Sequence, residues 1–340
     1  MKPEEHLKDR LTNCSKADLR PVDQEFLDKN GMEEMIYRLL TSKKFRKWSV
    51  MDTVEQKVRR ALSLCIPENK PIKFSCPFGG YKLWRLASAP EVDWAEYFMI
   101  AYNTEYIAPI LKIYKPGVEL IFTSDAVILE RMNNISKTDS NLYFDSFKAL
   151  LNKYRQYLPN NFSMDIVRIA DLYENEQKLH EEVDRLIPEI EAEYKAMGDK
   201  ETNLNLITSE LNIQWQGAED WSKYTDEEKK EKIRIGPIIH DAYCRISKRA
   251  EYIKGDDKIM VFTTPGKSSI PIGTTKTSVT KFWTGFGVLE KKGDSYFDRV
   301  LSPQQFDKIK DQPHEVVQTD LIPLKNFKEI WVYPEELRFS

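Results

Sequence analysis

Charged side chains follow two predicted β-strands at the positions where α/β proteins bind ligands. Lys82 comes just after an apolar strand and a Pro-Phe-Gly-Gly turn, in PIKFSCPFGGYK, and Asp125 ends the next strand, VELIFTS. Ligands of open α/β sheets bind at the carboxyl ends of parallel strands, so both side chains are expected at one rim of the sheet. A lysine there could anchor a phosphate or, with a pKa lowered by burial, act as an acid or base. An aspartate could orient an amine or accept its proton.

These residues also have interpretations that need no ligand. Lys82 could be a solvated turn residue, and Asp125 could cap the helix that follows it. Asp93 and Glu96 have the spacing of a capping box at the head of a long helix, which is the most economical interpretation of Glu96. The glycines at 79–80 could serve only a turn with positive φ. Spacing alone leaves both interpretations open.

The elements that must position these residues alternate between strand and helix through residue 170. Strands are predicted over 72–76 and 164–169 and in VELIFTS and KIMVFTTP, with helices between them. This alternation predicts an α/β fold with a Rossmann-like, mainly parallel sheet flanked by helices. The last ninety residues are richer in strands, including the final EIWVY, and predict a β-rich C-terminal part. Pro188 is expected to kink or break a charged helix over 171–198, and a further helix is expected over 237–252.

The pattern predicts one main domain with two additions. Residues 1–50 are polar with an amphipathic middle and are predicted to form a helical N-terminal extension. Residues 51–340 are predicted to form a single α/β catalytic domain. Within it, the polar residues 199–235 are predicted to be an insertion or lid.

Composition excludes several classes of function. The net charge is −3 and the pI about 6.0, so no general attraction for nucleic acid or an anionic membrane is expected. No run of about 18 apolar residues occurs and the start is highly charged, so we expect a cytoplasmic protein without a membrane span. The four cysteines form no C-x-x-C pair, and the four histidines lack metal-ligand spacing. PGKSS after a strand lacks the first glycine of a P-loop, because Val261 occupies its place.

The same motifs, in the same order, resemble the pyoverdine/dityrosine biosynthesis family, the isocyanide (isonitrile) synthases. KPIKFSCPFGGYK, APEVDWAE and IYKPGVELIFTSDAVILERMNNIS match that family in spacing and carry Lys82, Asp93, Glu96 and Asp125. The match is good over about residues 58–136 and thinner over 164–175 and 240–300.

Three positions depart from the family pattern. Ala126 stands where the family usually has a glycine after Ser-Asp, and Thr264 precedes Pro265 where the family has a histidine. Thr284 replaces a second histidine, after Trp283. Two potential acid/base imidazoles of the family are therefore missing, which identifies the chain as a divergent member.

The resemblance implies a transferase of secondary metabolism and natural product biosynthesis. It would condense the amine of an L-amino acid with the ketone of ribulose 5-phosphate to form an isonitrile. Two alternatives remain open: a related one-carbon transfer that gives an N-formyl or other modified amino acid, and a non-catalytic ligand-binding homologue. No metal or redox cofactor is expected. The expected partners are the amino acid and the sugar phosphate, with an Fe(II)/2-oxoglutarate oxygenase as a pathway partner.

Under this resemblance the site residues divide into two groups. The expected catalytic residues, which would move protons on and off the substrate, are Lys82, Asp125 and Glu96. The others would bind substrate: cations and loop backbone groups would hold the phosphate, and an aromatic side chain would wall the amino-acid pocket. The expected substrate-binding residues are Asp93, Lys248, Arg249, Lys267, Lys276, Trp283 and Thr284.

Overall fold

Five parallel strands form the central sheet in the computed structural model of this protein. The structure describes residues 1–16, 18–46, 48–80, 82, 90–133, 135–198, 204–210, 221–263, 266–273 and 285–339. The strands are β1 (Ile72–Phe78), β2 (Val118–Ser124), β3 (Phe162–Arg168), β4 (Lys258–Phe262) and β5 (Ser269–Pro271), in the spatial order β3-β2-β1-β4-β5. Each neighbouring pair is parallel. The strand order reverses direction at β1, and the carboxyl ends of β1 and β4 therefore flank a crevice of the kind that binds ligands.

Helices flank this sheet, as the alternating pattern predicts. Strand β1 has a paired neighbour on each side, and its residues Ile72, Phe74, Cys76 and Phe78 are all buried. Residues 204–210 are helical and are labelled α8. The other helices are α1 (Pro3–Lys16), α2 (Pro21–Leu40), α3 (Asp52–Cys65), α4 (Trp94–Ile113), α5 (Ala126–Asn133), α6 (Lys137–Arg155), α7 (Glu176–Ala196), α9 (Asp226–Arg245), α10 (Ser247–Lys254) and α11 (Pro303–Ile309).

A second sheet confirms the β-rich C-terminal part. Its strands are β6 (Phe286–Lys292), β7 (Ser295–Leu301), β8 (Glu315–Gln318) and β9 (Glu329–Tyr333), in the order β7-β6-β9-β8. The α/β class predicted from the sequence is therefore confirmed, with a parallel sheet and a separate mixed sheet.

Helix α4 packs against both sheets. Of its 20 residues, 16 are buried, because the helix is apolar on every side and contacts α1, α2, β2, β6 and β7. Gly287 of β6 allows the closest of these approaches: a Cβ at that position would lie 2.4 Å from the Ala95 nitrogen. The second sheet therefore packs directly against the first turn of α4.

Two helix limits differ from those expected from the sequence: α7 does not break at Pro188, and α9 begins earlier than expected. Helix α7 continues through Pro188, because Leu179, Val183 and Ile190 are buried on either side of it and hold the helix by packing. Helix α9 begins at Asp226 rather than near residue 237, and α10 is a separate helix after Ile246. The division into residues 1–50, 51–340 and 199–235 stays a prediction. No helix in the described ranges is both long and apolar enough to cross a membrane.

Candidate active site

Lys82, Asp93 and Glu96 meet in one buried ion-pair cluster. The Lys82 Nζ lies 3.0 Å from Asp93 Oδ1 and 3.0 and 2.9 Å from the two carboxylate oxygens of Glu96. The side chains of Lys82 and Glu96 are 0% exposed and that of Asp93 is 4% exposed. The interpretation of Lys82 as a solvated turn residue is therefore wrong. These three residues are called the lysine cluster below.

The capping box at the head of α4 holds the carboxylates of this cluster in place. The Ala95 N–H donates to Asp93 Oδ1 at 2.6 Å, and the Asp93 N–H donates to Glu96 Oε2 at 2.9 Å. Tyr143 donates from its hydroxyl to Glu96 Oε1 at 3.2 Å. The capping and site interpretations of Asp93 and Glu96 are thus compatible, because the same oxygens cap the helix and bind the ammonium group.

The Gly-Gly turn after β1 brings the chain toward Lys82 by passing close to the end of β2. Gly80 has φ +79°, and a Cβ there would lie 2.4 Å from Ser124 Oγ and 3.1 Å from the Ala126 nitrogen. Only glycine satisfies both the positive φ and this close approach. Of the two glycines predicted as turn residues, Gly80 is the one with a positive φ, and it sets the path of the chain toward Lys82.

Burial and charge act in opposite directions on the titration of the lysine cluster. Burial lowers the pKa of Lys82, but the carboxylates of Asp93 and Glu96 outweigh it and hold the net pKa above its ordinary value. The expectation of a lowered pKa for Lys82 is wrong for this reason. Burial raises the pKa of Glu96 to about 7, although Lys82 opposes the rise. The cluster can therefore exchange a proton at Glu96 near neutral pH while Lys82 remains charged.

Asp125 pairs with Arg249 at the carboxyl end of β2. The Arg249 Nε and Nη2 donate to the two Asp125 carboxylate oxygens at 3.3 and 3.4 Å, and the guanidinium lies 4.8 Å from the centroid of the Tyr243 ring. Burial lowers the pKa of Arg249, but Asp125 outweighs it and raises the net value. The Ala126 N–H at the start of α5 donates to Ser124 Oγ at 3.3 Å. The carboxylate of Asp125 therefore binds the Arg249 guanidinium, and the first N–H of α5 contacts Ser124.

A cavity of about 580 Å³ opens beside this pair, in the crevice between β1 and β4. The cavity is lined on the sheet side by Phe78 at the end of β1, Gly79 after it, Asp125 after β2 and Phe262 of β4. Residues of α5, α7, α8, α9 and α10 form the remaining walls. The lysine cluster contributes no lining residue in the described part of the chain, but Phe78 lines the cavity and its ring lies 6.0 Å from that of Tyr143, the hydroxyl partner of Glu96.

Four further titratable side chains meet on the α9 side of this cavity. The Cys244 Sγ lies 3.7 Å from His240 Nε2 and 4.0 Å from Nδ1, and His240 Nδ1 lies 3.5 Å from Asp241 Oδ1. Tyr194 of α7 donates to Asp241 Oδ2 at 2.8 Å. The motifs of the sequence did not predict this group. The sequence feature that could have indicated this group is the four-residue spacing of His240 and Cys244 in HDAYC, which places both residues on one face of a helix.

Two of the remaining predicted binding residues, Lys248 and Lys267, are not brought together with these clusters. Lys248 is exposed, and its Nζ donates to the Leu172 carbonyl at 2.6 Å and lies over the Tyr173 ring. Lys267 is exposed between β4 and β5, where its carbonyl accepts a hydrogen bond from Thr53 Oγ1 at 3.1 Å. Lys276, Trp283 and Thr284 lie outside the described residues.

The described residues contain no group of three or more histidine, cysteine, aspartate or glutamate side chains that could hold a metal ion.

Comparison with known proteins identifies a similar fold. The sequence matches no protein-family model, and no curated protein matches it. The structure is similar to the crystal structure of the PvcA protein from Pseudomonas aeruginosa, with a TM-score of 0.60 over 89% of this chain and 100% of that chain. The two sequences are 15% identical. At that identity the likeness establishes that this chain has the α/β fold of PvcA.

Proposed function

We propose that this protein is an isocyanide synthase-type enzyme, which joins the amine of an L-amino acid to the ketone of ribulose 5-phosphate and forms an isonitrile. The observation that carries the proposal is the lysine cluster. Its three residues belong to the motifs that resemble the family, and they meet through the 3.0 and 2.9 Å contacts of one buried ammonium group. The fold shared with PvcA, a protein of that family, supports the same assignment.

The lysine cluster is suited to handle the substrate amine. Asp93 Oδ2 is buried and has no hydrogen-bond partner in the described part of the chain, so an N–H of the bound substrate would satisfy it. Glu96, with a pKa of about 7, is poised to accept the proton that the amine must lose before it attacks the ketone. Lys82 stays protonated, and its charge favours the ionised form of Glu96.

The cavity between β1 and β4 is suited to hold the sugar phosphate. Its volume of about 580 Å³ accommodates a five-carbon sugar phosphate, and Phe78 in its wall lies next to Tyr143, the hydroxyl partner of Glu96. Arg249 and Lys254 place cationic groups in its wall, and cations are the partners that phosphate oxygens prefer. The assignment of the substrates to this cavity follows from the proposed reaction and the switch point of the sheet.

The direct test is an assay of purified protein with ribulose 5-phosphate and a panel of amino acids. We expect one amino acid and the sugar phosphate to be consumed together, with an isonitrile identified by mass. An N-formyl product would assign the protein to the alternative one-carbon transfer. If neither substrate is consumed with any amino acid of the panel, the proposal is overturned.

Substitution of Lys82 tests the lysine cluster in that assay. Lys82→Ala should abolish turnover, whereas the exposed control Lys230→Ala should leave it unchanged. Lys82→Ala leaves two buried carboxylates without their cation, so the folding of this variant is checked by circular dichroism. Asp125→Asn, in the ion pair with Arg249, serves as a second variant. Unchanged turnover in a folded Lys82→Ala protein would remove Lys82 from the reaction.

One observation favours a ligand-binding homologue as the second candidate. The Lys82 ammonium is fully enclosed and already contacts three carboxylate oxygens, which is also the geometry of a cluster that only stabilises the fold. Such a homologue would bind ribulose 5-phosphate in equilibrium dialysis without consuming it. Binding without turnover across the amino-acid panel would select this candidate.

A further inference from the structure

Cys244 and His240 form a thiol–imidazole pair in the wall of the cavity between β1 and β4. They lie one turn apart on α9, and Sγ is 3.7 Å from Nε2 of the ring. Both residues line the cavity, and the His240 side chain is 48% exposed, so a ligand can reach the pair. The other three cysteines, Cys14, Cys65 and Cys76, are buried in the core. Cys244 is therefore the thiol that solvent and ligands can reach.

The groups that surround the pair favour the charged forms of both partners. Burial raises the pKa of Cys244, but His240 and Arg249 outweigh it and hold the net value below that of an ordinary cysteine, against the opposing charge of Asp125. Burial lowers the pKa of His240, but Cys244 and Asp241 outweigh it and raise the net value, against the opposing charge of Arg249.

Helix α7 holds Asp241 beside the thiol–imidazole pair through one residue. Tyr194, on α7, donates to the free oxygen of Asp241 and so holds that carboxylate beside the imidazole ring. A thiolate beside an imidazolium is the nucleophilic form of cysteine.

A separate feature of the same cavity indicates a ligand with an oxygen acceptor. Asn133, the last residue of α5, is 3% exposed and lines the cavity, and its Nδ2 has no hydrogen-bond partner in the described structure. A buried amide donor left unpaired is unfavourable, and a bound carbonyl or hydroxyl oxygen would satisfy it. This donor is independent of the thiol–imidazole pair, and it belongs to a different helix.

We propose that Cys244 is a nucleophile that adds reversibly to the carbonyl carbon of a small hydroxylated aldehyde or ketone bound in this cavity. The thiolate sulfur forms the S–C bond, and the π-electron pair of the carbonyl moves to its oxygen. The His240 imidazolium then gives its proton to that oxygen. The products are a neutral hemithioacetal and a neutral imidazole, and the reverse steps restore both groups.

This activity goes beyond the proposed isocyanide-forming reaction. The addition needs no amino acid and uses neither Lys82 nor Glu96. It rests on the α9 pair, the exposed ring of His240 and the unpaired amide of Asn133. It can therefore be tested with the free protein and a carbonyl compound alone.

The first experiment measures the nucleophilicity of Cys244. The rate of alkylation by iodoacetamide is followed by mass spectrometry from pH 5 to pH 9, with Cys244→Ser as the background. We expect the wild-type rate to rise at a lower pH than that of glutathione. His240→Gln should react about tenfold more slowly at pH 7, since its thiol is then mostly protonated. His180→Gln, a substitution of a histidine on α7, is the matched control and should leave the rate unchanged. Coincident profiles for wild type, His240→Gln and glutathione would overturn the proposal.

The second experiment tests the ligand class with glyceraldehyde labelled with ¹³C at its carbonyl carbon. We expect a new tetrahedral carbon resonance with the wild-type protein that Cys244→Ala lacks, and protection of Cys244 from iodoacetamide. Glycerol, which has the hydroxyls but no carbonyl, should give no protection at the same concentration. A reactive Cys244 that forms no adduct, or equal protection by glycerol, would overturn the carbonyl assignment. Neither result depends on whether the protein makes an isonitrile.

Discussion

The protonation of one carboxyl group, that of Glu96, controls the charge of the lysine cluster. With all three groups ionised, one ammonium faces two carboxylates and the buried cluster carries an excess negative charge. Burial makes this charge costly, which is why the pKa of Glu96 rises to about 7. Near neutral pH the folded protein therefore holds a proton that the unfolded chain has already lost.

This difference predicts a pH dependence of stability that depends on Glu96. Glu96 ionises near 4.5 in the unfolded chain and near 7 in the folded protein, so between these values the folded state binds more protons. The free energy of unfolding should then fall as the pH rises from about 4.5 to about 7. Glu96→Gln keeps an oxygen for the capping box and removes the titration. The wild type should lose stability relative to this variant by on the order of 3 kcal/mol over that range.

This prediction is tested by measuring the free energy of unfolding in urea at pH steps of half a unit. The control is Glu130→Gln, because Glu130 is exposed and its substitution removes one carboxylate outside the lysine cluster. A constant difference between wild type and Glu96→Gln from pH 4.5 to pH 7 would contradict the assigned titration.

The capping box of Asp93 and Glu96 could be predicted from their spacing, whereas Lys82 joined these two residues only through the family resemblance, and the Cys244–His240 pair could not be predicted. A capping box is local, so the spacing of Asp93 and Glu96 already fixes how their carboxylates meet the start of α4. The position of Lys82 after a strand predicts only that it lies at the rim of the sheet. The pair on α9 depends on which face of that helix lines the cavity, and this is set by packing against α5 and α7. The spacing of His240 and Cys244 shows that they share a face but not what the face contacts.

The turn between β1 and Lys82 sets the path of the chain at the rim of the sheet. Register pairs Phe78 directly with Ser124, so the residue two positions after β1 must pass the end of β2. Gly80 does so at φ +79°, in the space where a side chain would meet Ser124 Oγ. This residue therefore has both a conformational and a steric reason to be glycine.

Substitution of Gly80 by alanine separates the two reasons. Gly293, in the turn between β6 and β7, has φ +60° and no atom within 4 Å of the place that a Cβ would occupy, so Gly293→Ala should cost only the conformational term, about 1 kcal/mol. Gly80→Ala adds overlap with Ser124 and the Ala126 nitrogen and should cost about 1–3 kcal/mol more. Both values are measured by denaturant unfolding. Equal losses for the two variants would show that the close approach at Gly80 relaxes freely.

The limits of elements with a regular apolar pattern can be predicted from the sequence more closely than the start of the charged helix α9. The first strand is expected over 72–76 and spans Ile72–Phe78, because its apolar residues are bounded by a turn. Helix α9 starts at Asp226, but its first half, DEEKKEK, carries charges without an apolar stripe, so periodicity does not locate its start. In the structure Thr225 caps that end, and Ile238, Ile239 and Ala242 are buried farther along the helix.

The whole molecule is held together by a core that includes the N-terminal helix. Leu7, Leu11 and Cys14 of α1 are 0–2% exposed and belong to the same apolar cluster as the strands of the central sheet. Tyr97 of α4 donates to the Leu7 carbonyl at 2.5 Å. Arg10 joins α1 to Asp298 of β7 at 2.6 Å. Helix α1 thus contacts α4 and the second sheet at the same time.

These contacts predict that α1 unfolds together with the sheet. Leu11→Ala removes a side chain that is 2% exposed and should lower the free energy of unfolding by about 3 kcal/mol, since the cavity it leaves is enclosed. Leu142→Ala, at a position on α6 that is 44% exposed, is the matched control and should cost much less. The urea midpoints measured by tryptophan fluorescence and by far-ultraviolet circular dichroism should shift by the same amount in Leu11→Ala, because one cooperative transition involves both sheets. A loss confined to a separate early transition would instead show that α1 unfolds independently of the sheet.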